Sequence, residues 1–365
     1  MSWPRCAYAM LACLGIAADA AHALPPEALP PAQATPPPVQ EARPLLDPAA
    51  RLPESGSASE HWDLTARFES GHWLFAHFLI TNVGPGDATA VAVGSVVSPD
   101  GTHTEFTNGR RRHRWQLSSD QKRLDIGTSH LDLRTRSARY QITKDRVAID
   151  LRFELDGSEP TPRGVVPRGY VVDVLARATP VEGTIRLSED SEALQVRGRL
   201  AAVHTVASES EAELVLRRIE FFSLDADALY LLDLVTPKGR RTSWLSGGPR
   251  PDAPVSLSRI QVALQGALPA SSKRHPDRYW VPRDLRLGGE VVGGIVLGKV
   301  LVERDPLSKI PQPFRWWVSR STKPLRVWAG SHFEVTLPPD SEQPTLQLQG
   351  SGVTAVSFVN QAPQP

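Results

Sequence analysis

The chain has 365 residues, of which 41 are Lys or Arg and 40 are Asp or Glu, so its formal net charge is +1 at pH 7. This balance gives no global basic field, which excludes nucleic acid and an anionic membrane surface as partners recognised by overall charge. The two cysteines, Cys6 and Cys13, both lie in the N-terminal segment. Removal of that segment would also exclude thiolate nucleophiles, cysteine-ligated zinc and dithiol redox chemistry.

The N-terminal segment has the three parts of a secretory signal. Arg5 supplies a positive charge, a largely apolar run follows from Cys6 to Ala18, and Ala21-His22-Ala23 is a small-x-small cleavage site. The pattern predicts a signal peptide over residues 1–23 and export to the periplasm or the extracellular space. Acylation at Cys13 is the alternative, although the preceding residues fit a lipoprotein signal poorly. Because no later apolar run approaches the length of a transmembrane helix, we do not expect an integral membrane protein after processing.

A segment rich in Pro and Ala follows the predicted signal. It covers residues 24–59, has Pro36-Pro37-Pro38 near its centre and lacks a periodic apolar pattern. Such a composition predicts a disordered, semi-rigid linker. The rest of the chain, from about Glu60 to Ala362, is roughly long enough for two ordinary domains.

From Glu60 onward the apolar residues recur mostly with a period of two. Val147 to Leu155 alternates apolar and largely charged residues, which predicts a strand with one buried face. Leu74 to Thr81 differs, because both of its alternating faces are largely apolar. A strand of that kind is buried on both sides or lines an apolar cavity on one of them.

Turn signals separate these runs, as at Ser98-Pro99-Asp100-Gly101, and helical composition occurs only in Ser208 to Phe222, whose end fits a strand equally well. Together these patterns predict an all-β fold of two consecutive antiparallel β-barrels or sandwiches with little helix. The boundary falls between Pro160 and Pro180, and we place the two domains at residues 60–179 and 180–362.

Short motifs in the middle of the chain resemble a known group of proteins. Most of the stretch from Trp62 to Phe358 resembles the double-lipocalin (calycin-like) group in order and spacing. That group includes bacterial exported lipocalin-like proteins, carotenoid 1,2-hydratases and fungal oxidative-stress survival factors. The start of its second domain is matched by Pro180-Val181-Glu182-Gly183-Thr184-Ile185 and by Val196-Arg197-Gly198-Arg199. Its survival-factor branch is matched by Phe75 to Val83 and by Tyr230 to Pro237.

The resemblance implies two lipocalin-like domains and, in the survival-factor branch, sequestration or transfer of lipids such as ceramides. It also implies an envelope transport system as a partner, since bacterial relatives often accompany one. In the hydratase branch, a Tyr-x-Asp-His-x-Trp segment carries the aspartate that protonates the alkene. The matching stretch here keeps His204 but has Val203 in the position of the acid. Because alkene hydration needs a positioned acid, the resemblance implies the binding fold rather than that reaction.

Aromatic residues in strand-like surroundings, together with one histidine, are the candidate ligand contacts. His204 could anchor a polar group inside an apolar pocket, although a lone histidine more often satisfies local partners. Trp316 and Trp317 are neighbours on the chain, so on a strand one would face inward and the other outward. The candidates are Trp73, Phe75, Phe78, His204, Phe222, Tyr230, Trp244, Trp316 and Trp328.

No motif for metal binding or catalysis is complete. His-Glu-x-x-His is absent, and His72 and His77 have an odd spacing that would direct them to opposite faces of a strand. Gly-x-Ser-x-Gly is also absent. We therefore expect no metal ion, no cofactor and no catalytic residue.

These observations favour an exported protein that binds an apolar small molecule, a lipid or an isoprenoid, without transforming it. The first alternative is a hydratase- or isomerase-like enzyme acting on an isoprenoid or fatty substrate. Its acid would be Asp225, Asp227 or Asp233, with one of them buried beside Trp244 or Tyr230. The second alternative is a structural envelope module that contacts a partner protein through an exposed aromatic patch.

Overall fold

The computed structural model describes residues 47–82, 88–144, 146–156, 159–225, 228–248, 254–268, 279–306, 324–339 and 345–359. The predicted signal peptide, both cysteines, most of the predicted linker, Asp227, Trp316 and Trp317 lie outside these ranges. The described residues confirm the all-β prediction, and their two antiparallel sheets form a half-barrel and a near-barrel. Within those ranges, no helix has the length and apolar content needed to cross a bilayer.

The first sheet contains twelve strands within the described ranges, in the order β4-β3-β2-β1-β12-β11-β9-β8-β7-β6-β5, with β10 paired to β11. Its strands are β1 (Ser59–Phe68), β2 (Trp73–Thr81), β3 (Thr89–Val97), β4 (His103–Arg110), β5 (Gln116–Leu117), β6 (Arg123–Ile126), β7 (Ser129–Asp132), β8 (Ser137–Lys144), β9 (Val147–Glu154), β10 (Glu159–Pro160), β11 (Tyr170–Arg186) and β12 (Leu194–Ala207).

The second sheet contains nine strands within the described ranges, in the order β16-β15-β14-β13-β21-β20-β19-β18-β17. A single helical turn, α1 (Glu211–Leu214), connects the two sheets. The strands are β13 (Arg217–Ser223), β14 (Leu229–Val235), β15 (Arg241–Gly247), β16 (Val255–Leu257), β17 (Ile260–Gln265), β18 (Asp284–Gly289), β19 (Val292–Arg304), β20 (Leu325–Leu337) and β21 (Leu346–Phe358).

The change of sheet comes later than the predicted domain boundary. Pro180 lies inside β11, where Val181 to Arg186 pair with β9 and Tyr170 to Ile185 pair with β12. The chain leaves the first sheet only after Ala207 and enters the second at Arg217. The boundary was placed too early because prolines were read as breaks, whereas β11 continues through Pro180 as an irregular strand with register shifts beside it. The segment from Ser208 to Phe222, whose composition fits a helix or a strand, contains α1 and most of β13.

Each sheet encloses its own apolar core, and a third apolar layer lies between them. The first core includes Trp62, Leu64 and Phe78, and the second includes Ile219, Phe221 and Phe333. The layer between the sheets, called here the intersheet layer, includes Phe75, Val203, Phe222, Tyr230, Trp244 and Trp328. On strands that border both regions, such as β2 and β14, the alternation of side chains sends one face to its own core and the other to this layer.

Strand β2 shows how a strand that is apolar on both faces is used. Leu74, Ala76, Phe78 and Ile80 belong to the first core, whereas Phe75 belongs to the intersheet layer. Farther along that second face, His77 and Leu79 line a cavity between the two sheets. The prediction that one face is buried and the other lines a cavity is therefore confirmed.

Candidate functional site

A cavity of about 980 Å³ lies between the two sheets, and we call it the intersheet cleft. Its size is at the upper end of the range of small-molecule sites, roughly 300–1,000 Å³. The first sheet supplies apolar side chains from β2 and β3, namely Leu79, Val91 and Val93, and the second sheet supplies Leu325, Trp328 and Phe358. Residues Glu211 and Ala212 of α1 border it. The cleft therefore has largely apolar walls built from both halves of the molecule.

The floor of the cleft is formed by His61, His77, Arg218 and Arg326, with which Asp63 and Glu220 pair. We call these six buried or largely buried polar residues the cleft polar cluster. Strands β1 and β2 contribute His61, Asp63 and His77, and strands β13 and β20 contribute Arg218, Glu220 and Arg326. His61 and Asp63 share one face of β1 because they are two residues apart, and His77 is the register partner of Asp63 on β2. Strand pairing thus brings together residues that are distant in sequence.

Asp63 is the centre of this cluster. Its Oδ1 lies 2.8 Å from Nδ1 of His77 and accepts a hydrogen bond of 2.6 Å from Nη1 of Arg326. Burial alone would raise the pKa of Asp63, but the charge of Arg326 and the imidazole of His77 hold that pKa well below its usual value. Asp63 is therefore a carboxylate at neutral pH, and it fixes the orientation of His77.

His61 lies against the same carboxylate. Its Nε2 is 3.5 Å from Oδ2 of Asp63, and its ring centroid is 4.9 Å from that of His77. Burial lowers the pKa of His61 well below its ordinary value, so this imidazole is neutral at neutral pH. Nη1 of Arg218 also lies 3.5 Å from Nε2 of His61, so the guanidinium is a polar partner of that nitrogen.

Arg218 connects the cluster to the walls of the cleft. Its Nη2 donates to Oε1 of Glu220 over 2.6 Å, and its Nη1 donates to the hydroxyls of Tyr170 and Thr205 over 2.9 and 3.0 Å. Tyr230 also donates to Glu220, over 2.9 Å. Burial raises the pKa of both tyrosines well above its ordinary value, so they stay protonated donors. The network holds the two sheets together.

Trp328 is placed between two arginines that also line the cleft. The guanidinium carbon of Arg326 is 4.7 Å from the centre of the indole, and that of Arg304 is 5.4 Å away. Nη2 of Arg304 donates to the hydroxyl of Ser95 over 2.9 Å. Burial, aided by the nearby charge of Arg326, lowers the pKa of Arg304 to about 10. This indole fixes both cations at the wall of the cleft.

The histidine singled out from the sequence, His204, lies elsewhere. It faces the interior of the first sheet, where its Nε2 is 2.6 Å from Oε1 of Glu60 and its ring stacks on Trp62 at 4.6 Å. Glu60 also accepts hydrogen bonds from the backbone N–H groups of Arg51 and Leu52, over 2.7 to 3.0 Å. We call Glu60, Trp62 and His204 the interior histidine site. Its side chains are packed and Nε2 of His204 pairs with Glu60, whereas Nδ1 of His204 and Nε1 of Trp62 have no hydrogen-bond partner among the described residues. The packing matches the structural alternative for His204.

Among the other predicted ligand contacts, only Trp328 lines the cleft within the described ranges. Phe75 packs 5.4 Å from Trp328, and Phe78 contacts Tyr140 inside the first sheet at 5.7 Å. Phe222, Tyr230 and Trp244 pack against one another in the intersheet layer. Trp73 is half-buried beneath Arg67, and Trp316 lies outside the described residues. That any of these candidate residues contacts a ligand stays a prediction.

Of the carboxylates proposed for the enzymatic alternative, Asp225 and Asp233 also lie away from the cleft. Asp233 is buried but accepts hydrogen bonds from Arg241 and Ser243, and Asp225 accepts from the backbone and hydroxyl of Ser351. Asp225 borders a second concavity of about 1040 Å³ on the second sheet. The histidine and arginines there, His332 and Arg286 among them, are exposed, so we take the intersheet cleft as the candidate site.

Sequence reasoning missed His61, Asp63 and His77 as a group. The usable signal was the His61-x-Asp63 spacing, which puts both side chains on one face of a strand. Our reasoning compared His77 with His72, but His72 lies in the turn before β2 and bonds to Ser70. The partner of His77 is set by pairing with β1, which local spacing does not reveal.

No family model matches the chain, and none of the curated proteins matches it either. Solved structures do. A candidate AttH protein from Nitrosomonas europaea aligns with a TM-score of 0.60 at 13% identity, covering 86% of this chain and 97% of that one. Kievitone hydratase from Nectria haematococca gives 0.55 at 12% identity, covering 85% and 91%. CghA in complex with Sch210972 gives 0.54 at 13% identity, covering 88% and 97%.

These similarities show the fold. At such low identity they support the double-lipocalin group at the level of architecture, with both halves of the chain covered. They do not distinguish binding from catalysis, so function has to be argued from the cleft itself.

Proposed function

We propose that this protein binds an apolar small molecule, a lipid or an isoprenoid, in the intersheet cleft, for sequestration or transfer. The observation that carries the proposal is a cavity of about 980 Å³ with apolar walls and a polar floor. The walls would shield a hydrocarbon body, and the cleft polar cluster would face its polar end. This places the ligand between the sheets rather than inside either barrel.

The composition of the cleft supports this kind of ligand. Val93 lies directly opposite His77 on the neighbouring strand, so the apolar wall meets the polar floor at that pair. A few convergent polar groups in an otherwise apolar cavity fix the orientation of a ligand and provide its specificity. The same proposal includes a role outside the cytoplasm, with which the predicted signal peptide accords. It also includes an envelope transport system as a partner.

A cleft-filling substitution tests the proposal. In a Val93→Trp variant, the larger ring would occupy the cleft, so we expect the affinity for cis-parinaric acid, a fluorescent fatty acid, to fall by at least tenfold, about 1.4 kcal/mol. Leu194→Trp is the matched control, because Leu194 is 40% exposed on the surface. Native mass spectrometry of the purified protein should also show a co-purified apolar molecule. Equal probe binding by both variants, or no binding by the parent, would contradict the proposal.

The second candidate is an enzyme that transfers a proton on such a molecule. It is favoured by one observation, the pairing of His77 Nδ1 with the Asp63 carboxylate at 2.8 Å beside the cleft. A carboxylate that orients an imidazole is the usual arrangement for a general base. Mass spectrometry of the extracted ligand after prolonged incubation with fresh protein separates the two functions. An altered mass or isomer that His77→Gln does not produce would establish the enzyme.

A further inference from the structure

The side chains of His61, Asp63 and His77 form a cluster with the composition of a metal site. Each offers one ligand atom, and these atoms all lie within 4.8 Å of one another. The distances of 2.8 Å from Asp63 Oδ1 to His77 Nδ1 and 3.5 Å from Asp63 Oδ2 to His61 Nε2 are close to those between neighbouring ligands of one ion. The three donors converge because β1 and β2 are paired in register.

One donor atom in this cluster lacks a hydrogen bond. Oδ2 of Asp63 is buried, and within the described part of the chain it has no hydrogen-bond partner. A buried carboxylate oxygen without a partner is costly, and a cation would relieve that cost.

The charges around the cluster determine what else the ion would need. Arg326 contacts Asp63 through Oδ1 and lies 3.5 Å from Glu220, while Arg218 pairs with Glu220 at 2.6 Å. The two guanidinium charges are therefore balanced by two carboxylates, and Oδ2 is left as the ligand atom. An added divalent ion would leave excess positive charge, so we expect it to take an anionic ligand, such as hydroxide or a carboxylate, from the cleft.

We propose that His61, Asp63 and His77 bind a divalent first-row transition-metal ion at the floor of the intersheet cleft. Two imidazoles and one carboxylate suit Fe²⁺, Co²⁺ and Zn²⁺ better than Mg²⁺ or Ca²⁺, which prefer oxygen ligands. Three protein ligands leave positions open for a molecule in the cleft. The site does not depend on the proposed apolar ligand, because three ligands of the ion are protein side chains and hydroxide can complete its coordination.

Cobalt titration tests the site directly. Tag-free protein is stripped with a chelator and titrated with Co²⁺, with visible absorption and elemental analysis as readouts. We expect one equivalent per chain, with d–d bands of low coordination number. His77→Ala should weaken binding by at least the roughly 10- to 100-fold that loss of an outer-shell partner costs. The matched control is His130→Ala, since His130 Nδ1 also lies close to an aspartate, Asp125, at 2.6 Å but outside the cleft.

A measurement on the unaltered chain tests the site even if a variant fails to fold. Pulsed electron paramagnetic resonance of the Cu²⁺-loaded protein should show coupling to two imidazole nitrogens. Mg²⁺ should not compete with Co²⁺. Absence of a stoichiometric site in the unaltered chain, coupling to fewer than two imidazoles, or equal loss in the His77 and His130 variants would overturn the proposal. Because no lipid is present, failure here is distinct from failure of fatty-acid binding.

Discussion

The two faces of strand β1 carry similar residues but have different surroundings. Glu60 and Trp62 face the first core, where they hold His204 in a packed contact. His61 and Asp63 face the cleft polar cluster, where carboxylate and imidazole border a cavity. The comparison teaches that a buried histidine–carboxylate pair is structural or functional according to what lies on its far side. A packed core leaves no room for a ligand, whereas a cleft can accommodate one.

The largest effect should come from the interior face. Glu60→Ala removes the acceptor for His204 and for the backbone N–H groups of Arg51 and Leu52. Because each buried donor left without a partner costs about 1–3 kcal/mol, we expect a loss of roughly 3–5 kcal/mol in the free energy of unfolding. Urea denaturation measures it. A loss below about 1 kcal/mol would mean that the interior site is not structural.

Replacing one histidine from each site separates the two roles. His204→Ala removes the bond to Glu60 and the stacking on Trp62, so we expect a loss of about 2 kcal/mol in stability with unchanged probe binding per folded molecule. His77→Ala should cost about 1 kcal/mol or less in stability, because Asp63 keeps its bond to Arg326, yet it should weaken cobalt binding by at least roughly 10- to 100-fold. Denaturation and titration on both variants give the comparison. If His77→Ala caused the larger loss of stability and His204→Ala the larger loss of cobalt binding, the two assigned roles would be exchanged.

Two buried tyrosines allow the contribution of a buried hydroxyl group to stability to be compared between the cleft polar cluster and the first core. Tyr230 donates to Glu220 in the cleft polar cluster, whereas the hydroxyl of Tyr140 in the first core has no hydrogen-bond partner within the described ranges. We expect Tyr230→Phe to cost about 1–3 kcal/mol, because Glu220 loses a buried hydrogen-bond donor, and Tyr140→Phe to be neutral or stabilising. Chemical denaturation at pH 7 measures both, and equal losses would contradict the assignment.

The same tyrosines predict a loss of stability at alkaline pH. Burial raises the pKa of Tyr140 and of Tyr230 above its ordinary value near 10. Above about pH 10 the unfolded chain releases these protons and the folded chain keeps them, so stability falls as the pH rises. Each Tyr→Phe substitution should reduce that slope by up to about 1.4 kcal/mol per pH unit. Denaturation between pH 9 and about 11 checks it, and an unchanged slope would contradict the burial of these hydroxyls.

The smallest effect should come from a histidine–carboxylate pair near the surface. His130 and Asp125 lie 2.6 Å apart with about 30% of each side chain exposed, at 31% and 29%. Such pairs contribute roughly 0–1 kcal/mol, because solvent screens them. His130→Ala should therefore change the free energy of unfolding by less than about 1 kcal/mol, as measured by urea denaturation. A larger loss would show that the exposed fraction of the side chains does not explain how much each histidine–carboxylate pair contributes to stability.

Much of the fold could be predicted because strand period and turn chemistry are local. The one-sided strand at Val147 to Glu154, the turn at Ser98 to Gly101 and the two-sided strand β2 were all predicted from their own residues and are present in the structure. Where the sheets divide was not predictable in this way. β11 keeps its pairing through Pro180 because the strands on either side of it supply hydrogen-bond partners.

The candidate site was harder to predict than the fold. The sequence by itself determined the all-β class and the two-sided character of β2, since these follow from alternation and residue type. Only the tertiary structure decided that His204 is enclosed with Glu60, while His61, Asp63 and His77 meet Arg218 and Arg326 at a cleft. The physical reason is that strand register and the packing of two sheets join residues far apart in sequence, and neither is encoded in local spacing.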